Sequence, residues 1–528
     1  MSSRSPSAAR LKDLHKDLCF QRAFPKTRAQ GREANDQLVR YCETLDALAR
    51  AKREQLADSG IAGTVVHYRF SFDVARWLAR VAPGAVSIDW AEFDDTLALD
   101  ELLHHVLQPA EADWFSSGYI TTREWIDAVR KGCKGTDFDW LLAQIGDRRS
   151  RPFLRELYDT ADIPLAWDLG DDSFSKSKNV FPLAPVCVRA ALRPRPGQVK
   201  REIQRPARSI TILPHDRGSK LIDVAMASLA ARHRETYHFN FANPEEVYLA
   251  DVGEGIAIAI FGLLPEYRFA LECTLGYLIL SNGVPVGYGG ASVLFKQVNT
   301  GINIFDEYRG SEASYLWVQV MRVYHALVGC SRFIASSYQI GKDNREALQS
   351  GAFWFYYRLG YRPLDAAVRR LANNEEKKRK RDRDHRSPTK VLKKLASSDM
   401  HLTLPGSASS ELFDEEWLAT SSRLASGALA SVCEETRNAA ADRVATALAH
   451  DLGVRSLRNW TRAERAALCA IAPYFAALHP PGWPTDAKRS LRKILRAKGG
   501  RHELVYARLM AKNDSLLQVF RRACREAD

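Results

Sequence analysis

The sequence predicts an α/β protein: a mixed, mostly antiparallel sheet flanked by helices, with a mixed α-rich N-terminal region before it and an all-helical C-terminal domain after it. Three features of the chain lead there. Apolar runs suited to strands flank the pair Asn282-Gly283, a strong hairpin signal. Strand and helix signals then alternate from Asn299 to Tyr361, and Ala- and Leu-rich segments fill the chain beyond Glu411.

At 528 residues the chain is too long for one ordinary core, so two to four domains are expected. With 46% hydrophobic residues and 10% aromatics there is enough apolar material to fold most of it. Composition divides it into a mixed α-rich region at 1–170, a Pro/Arg-rich connector at 171–210, the α/β domain at 211–372, a basic and partly disordered linker at 373–410, and a helical C-terminal domain at 411–528. No internal repeat is present.

From Leu11 to Leu56 few breakers interrupt Leu, Ala, Arg, Asp and Glu, which favours one or two amphipathic helices. Thr64 to Phe70 reads as a β-run, and Asp73 to Val81, Leu97 to Leu107 and Thr121 to Arg130 as helices. Pro182, Pro185, Pro194, Pro196 and Pro206 then make the connector. In the α/β domain, Leu221 to Tyr237 is a helix and Glu246 to Asp251 a strand. Glu272 to Leu280 and Val284 to Phe295 form the hairpin, and Asn299 to Phe305 is a further strand. A helix with Leu316, Val320, Val323 and Leu327 on one stripe follows. Arg332 to Gln339 is a strand, and Asn344 to Leu359 a helix with Leu348, Ala352, Phe355 and Leu359 on one face. Gly360 stops that helix before a last strand around Tyr361. Beyond the linker, Glu411 to His450, Thr461 to Leu478 and Lys488 to Ala527 are helical, broken by Pro480, Pro481 and Pro484.

No stretch of eighteen uncharged apolar residues is present, and Met1 to Arg10 lacks the apolar core of a secretory signal. The expectation is a soluble cytoplasmic protein without membrane contact. Nine cysteines are scattered without CxxC spacing and read as reduced thiols. His233 and His238 lie five apart and His104 and His105 are adjacent, so neither pair shares a helical face and no metal is expected. The net charge of +13 is concentrated: Lys377 to Lys394 holds ten Lys or Arg against two Asp. Such a run can make salt-sensitive, sequence-independent contact with nucleic acid or with an acidic protein.

One turn carries a signal for chemistry. At Arg309 to Ser314 the chain leaves a strand and enters a helix, so backbone N–H groups without helical partners sit at the positive end of the helix dipole. That arrangement suits a pyrophosphate.

Three runs around this turn come in a familiar order: Val284-Pro-Val-Gly-Tyr-Gly-Gly, then Ile304-Phe-Asp-Glu-Tyr-Arg-Gly, then Asn344 and Ala347 followed by Phe355-Tyr-Tyr-Arg-Leu-Gly-Tyr-Arg-Pro363. In order and spacing they resemble the core of the GNAT superfamily of N-acetyltransferases, over about a quarter of the chain. The resemblance implies an acyl-CoA N-acyltransferase fold for 211–372, with acyl-CoA, expected to be acetyl-CoA, as co-substrate and an amine as acceptor. It implies that Ile304 and Phe305 pair with the pantetheine arm. Arg309, Gly310, Ser311, Glu312, Ala313 and Ser314 would receive the pyrophosphate, and Asn344 would hold the thioester end. Tyr356 matches the tyrosine that protonates the departing thiolate, a sensible role for a phenol of pKa about 10. Asp306 and Glu272 are the candidate bases. The family's phosphate turn has Gly where this chain has Glu312, and Gly or Ala where it has Ser314. A side chain and a negative charge therefore stand where close approach to phosphate is wanted. The sequence thus leaves two readings: direct acyl transfer from acyl-CoA to an amine, or a catalytically inactive GNAT-like scaffold that holds nucleic acid or a protein partner through its basic linker and helical tail.

Overall fold

The computed structural model describes residues 6–93, 95–146, 152–170, 174–183, 185–310, 312–382, 384–406 and 413–527. The chain forms two compact units. One comprises Met1–Ala190, Lys220–Asn240 and Asn282–Pro285; the other comprises Ala191–Ser219, Phe241–Ser281 and Val286–Asp528.

The first unit is α-rich around a three-stranded antiparallel sheet. Its strands are β1 (Val65–Tyr68), β2 (Val86–Ile88) and β3 (Leu165–Asp168), with β3 in the middle. Helix Phe72–Val81 buries Phe72, Val74, Ala75, Trp77 and Leu78. The Trp77 indole donates to Asp223 Oδ1 at 3.0 Å, giving the polar end of a buried ring its partner. Within the sequence-derived connector, Asn179 is buried and donates to the Val224 carbonyl and to Ser228 Oγ, both at 2.9 Å. That part of the connector belongs to this unit's core.

The second unit is built on ten strands: β4 (Ser209–Ile212), β5 (Ala242–Gly253), β6 (Ile256–Leu263), β7 (Cys273–Ser281), β8 (Val284–Leu294), β9 (Gln297–Thr300), β10 (Asn303–Ile304), β11 (Arg332–Ala335), β12 (Arg362–Pro363) and β13 (Met400–Thr403). Their order across the sheet is β12-β13-β11-β9-β8-β7-β6-β5-β4, with β10 also on β8. The sheet is mostly antiparallel, and β9 runs parallel to β11. Every residue of β6 and β7 is buried, so the sheet is covered on both faces at its centre.

Several expectations are corrected. The run Ile256-Ala-Ile-Ala-Ile-Phe-Gly-Leu is a central strand that the sequence reading passed over; buried on both faces, it lacks the alternation that marks a half-buried strand. The strand expected to reach Gln339 stops at Ala335, and Ser337–Ile340 is a short helix. The expected helix from Asn344 to Leu359 is two helices, Arg345–Ser350 and Ala352–Arg358, because Gly351 adopts φ +71° between them. The second of these buries Phe353, Trp354, Tyr356 and Tyr357, a different face from the one expected.

The segment expected as a basic, partly disordered linker, 373–410, instead contributes the end of helix Ala366–Arg381, helix Thr389–Leu395 and β13, which is inserted between β11 and β12. Residues from 191 onward in the connector likewise include helix Val199–Gln204 and the edge strand β4.

Beyond Phe413 the chain is helical as expected, yet it belongs to the same compact unit as the sheet. Helix Glu503–Ala511 packs on β6, β7 and helix Ala313–Val328. A buried ionic network fixes it there. The Glu246 carboxylate, on β5, accepts the Glu503 and Leu504 N–H groups at 2.8 Å. Arg268 donates to the carbonyls of Lys498 at 3.0 Å and Gly500 at 2.6 Å, and Lys498 pairs with Glu503. All four charged side chains are essentially without solvent, so each requires the others.

Candidate active site

The parallel pairing of β9 and β11 covers only Gln297 to Asn299 against Arg332 to Ile334. After Thr300 the chain breaks at Gly301-Ile302 and resumes as β10, which pairs with β8 alone through Asn303↔Tyr288 and Ile304↔Gly287. Between β10 and the end of β11 the sheet is therefore forked. The Phe305 N–H donates to the Val286 carbonyl at 3.1 Å. Antiparallel alternation then directs the Ile304 N–H and C=O away from β8, toward the open side of the fork.

Two side chains approach the backbone at the base of this fork. Tyr356, only 2% exposed, lies with its hydroxyl 3.4 Å from the Ile302 N–H, from which it accepts. Its own proton is committed to no acceptor among the described residues. Trp317 and Tyr361 meet the Tyr356 ring edge-on at centroid distances of 6.1 and 5.2 Å and hold its orientation. Burial raises its pKa well above the ordinary phenol range, against a smaller opposing effect of the Ile302 hydrogen bond, so the hydroxyl stays protonated at neutral pH. From the other side Gln339 lays its side-chain amide against the Gly301 Cα, in space that any Cβ at 301 would occupy. The Gly301 carbonyl accepts from the buried Tyr277 hydroxyl. A Cβ at 301 would have to push the Gln339 amide aside.

The turn expected to receive phosphate leads from a 3-10 helix, Asp306–Tyr308, into helix Ala313–Val328. Gly310 adopts φ +81°, and no atom lies within 4 Å of where a Cβ would stand. Ser311 lies outside the described residues. The amides of Ala313, Ser314 and Tyr315, in the first turn, have no intrahelical acceptor.

Charges around this turn are already engaged. Arg309 pairs with Asp306 Oδ1 at 3.0 Å and with the carboxylate of Glu346, all three side chains being more than half exposed. Glu312, 3% exposed, does not enter the turn as a free anion: its Oε2 accepts the Arg193 main-chain N–H at 2.5 Å. The Arg193 guanidinium pairs with Glu254 at 3.0 Å, and Arg195 donates to the Arg358 carbonyl. A short strap, Arg193 to Arg195, is thereby fastened to the start of helix 313–328 and the end of helix 352–358.

Compared with known proteins, the chain matches no family model, no curated protein and no solved structure.

The remaining sequence candidates separate. Asn344 caps helix 345–350, its Oδ1 accepting the Ala347 N–H at 3.0 Å. Phe305 is buried and stacked on Tyr288 at 5.3 Å. Asp306 makes no hydrogen bond with Tyr356 among the described residues. Glu272 lines a small cavity of about 40 Å³ that it shares with Asn299, Asp399 and Asp414. Burial raises its pKa, opposed by Lys498. Tyr357, the neighbour of Tyr356, instead donates toward Asn373 and Glu376 at 3.0 Å. Among the described residues no group of three or more His, Cys, Asp or Glu is placed to hold a metal, and no helix is long and apolar enough to cross a membrane.

The sequence reading missed Gly301, Glu346 and Arg193 as parts of this site, and had Gln339 only as the end of a strand bordering it. Only Glu346 carried a usable signal, an acidic residue in the first turn of a helix capped by Asn344.

Proposed function

We propose that the second unit is an N-acyltransferase of the GNAT kind, transferring an acyl group, expected to be acetyl, from acyl-CoA to an amine. The observation that carries the proposal is the fork between β10 and β11 with the Tyr356 hydroxyl at its base. A pantetheine arm lying along Ile304 would complete the hydrogen bonds that β11 leaves open, and its sulfur would arrive near a buried, protonated phenol. The strand, turn and helix order around Arg309 supports this reading.

The reaction is a direct displacement. The neutral amine attacks the thioester carbonyl; a C–N bond forms, the C–S bond breaks, and sulfur leaves with the bonding pair. Tyr356 gives its proton to the thiolate and regains one as the ammonium formed by attack loses its own to water or to Asp306. An acyl-enzyme is disfavoured. Cys273 and Cys330 are fully buried, and burial pushes the Cys330 thiol up to about 12.

A second reading, a GNAT-like scaffold without catalysis, is favoured by the pairing of Arg309 with two carboxylates and by Gln339 lying against Gly301. For catalysis, an entering diphosphate must displace Asp306 and Glu346 from Arg309. Calorimetric titration with acetyl-CoA and longer acyl-CoA thioesters separates the readings, followed by chromatographic detection of free CoA in the presence of mixed amines. Binding with amine-dependent CoA release supports the transferase; no heat with any thioester overturns it.

A further inference from the structure

We infer that helices 366–381 and 389–395 form a docking surface for the phosphate backbone of a nucleic-acid duplex. The inference rests on surface geometry and is independent of the acyl-transfer reading.

Helix Ala366–Arg381 turns one face inward. Ala372 and Glu375 are buried, and the Arg379 guanidinium sits 4.6 Å from the Trp354 ring centroid. At 3.6 residues per turn the opposite face carries Arg370, Lys377 and Arg381. The shorter helix Thr389–Leu395 packs on it, buries Leu395, and presents Lys390, Lys393 and Lys394 on its own outer face. All six cations are exposed. Among the described residues none of the six side chains has an ion pair or hydrogen bond.

The carboxylates of the longer helix are spent internally. Glu375 accepts from Lys378 at 2.7 Å and pairs with His385 at 3.1 Å; Glu376 pairs with Lys380 at 3.0 Å and accepts from Tyr357. Asp382 and Asp384 lie beyond the helix end and off the 370-377-381 stripe. The sequence shows only a charge run, whereas the fold sorts it by sign. Cations held in fixed rows repel one another, and a polyanion relieves that repulsion while releasing its counterions. The stripe from Arg370 to Arg381 spans ~16 Å, several phosphates along one strand.

Duplex is favoured over the other polyanions by what the surface lacks. Single strands need aromatic platforms, but Trp354 is covered by Arg379 and Tyr357 by Arg362 at 4.1 Å. A protein interface needs an apolar anchor and a bilayer surface needs an apolar helix face; here the outer faces carry Lys, Arg and Asn374 and no large apolar side chain.

The test uses the full chain and a short fluorescein-labelled DNA duplex of arbitrary sequence, read by anisotropy across a salt series, with single-stranded RNA, polyglutamate and anionic phospholipid vesicles in parallel. The expected result is duplex binding tighter than to the other three, indifferent to sequence, with a log K against log salt slope approaching about −5 if all six cations engage. The quadruple variant Lys377→Glu, Arg381→Glu, Lys390→Glu, Lys393→Glu should lose at least tenfold in affinity and flatten that slope. Control charge reversals at Lys16 and Arg32, exposed in the other unit, should leave the slope unchanged. Circular dichroism on each variant verifies folding. Equal loss in the control, or preference for single strand, polyglutamate or vesicles, overturns the assignment.

Discussion

The Glu312 carboxylate accepts the Arg193 main-chain N–H at 2.5 Å, so the residue that stands where a phosphate turn would carry glycine is used as an anchor for a distant strap. Replacing it by alanine leaves that amide without its acceptor in a site that is almost dry. Glu312→Ala should cost about 1–3 kcal/mol in urea unfolding, and Glu312→Gln, which keeps an acceptor, markedly less. Acetyl-CoA affinity should rise in Glu312→Gln as the negative charge is removed. Unchanged affinity would place Glu312 outside the reach of the diphosphate.

Arg309 is shared between Asp306 and Glu346 at the surface. Exposed pairs of this kind contribute little to folding, so Glu346→Ala should alter stability by less than about 1 kcal/mol. Freed of one carboxylate, Arg309 should bind acetyl-CoA more tightly, by several-fold at low salt and less at high salt. Calorimetry at two ionic strengths checks both parts.

Removing the Tyr356 hydroxyl separates binding from chemistry. Tyr356→Phe keeps the ring between Trp317 and Tyr361 but leaves the Ile302 amide without its partner. Stability should fall by about 1–2 kcal/mol. Thioester affinity should change little while CoA release slows by about 10²–10⁴-fold. Parallel loss of affinity and turnover would indicate a structural role only.

Glu246 gives the fold a pH dependence. Burial pushes its carboxyl up to about 7, against the lowering effects of Arg268 and of the Leu504 and Glu503 amides. A folded value above the unfolded one means that the native state holds more protons between about 4.5 and about 7. Its contribution is therefore full below about 4.5 and is lost as pH rises through about 7. Urea midpoints measured across that window should decline for the wild type and lose part of that slope in Glu246→Gln.

At Gly351 the backbone adopts φ +71° with nothing within 4 Å of an added Cβ. Gly351→Ala should thus cost about 1–2 kcal/mol from backbone conformation alone, and Gly351→Asn less, since asparagine tolerates the left-handed region. Thermal unfolding of the two variants distinguishes this from a packing effect.

Much of the second unit was legible because its signals are local. The Asn282-Gly283 turn sets the hairpin of β7 and β8, an apolar run marks the middle of β5, and Ala-rich runs mark the C-terminal helices, whereas the strand expected over Asn299 to Phe305 is split between the end of β9 and β10. What local signals could not give was the partner of each element. β6 carries no alternation because both its faces are covered, and Gly351 breaks a pattern that reads as continuous on one helical wheel. The β13 insertion is a pairing across some forty residues, fixed by no neighbour in sequence.

The same division holds at the candidate site. Sequence by itself determined which residue types surround the turn at Arg309 and placed a tyrosine at 356, since those depend on order along the chain. Only the tertiary structure decided that Tyr356 rather than Tyr357 reaches the fork, that Glu312 turns onto Arg193, and that much of the basic run lies in two helices, the longer of which pairs its own Glu375 and Glu376. The direction of a side chain depends on which surfaces exclude water around it, and those surfaces come from segments far apart in the chain.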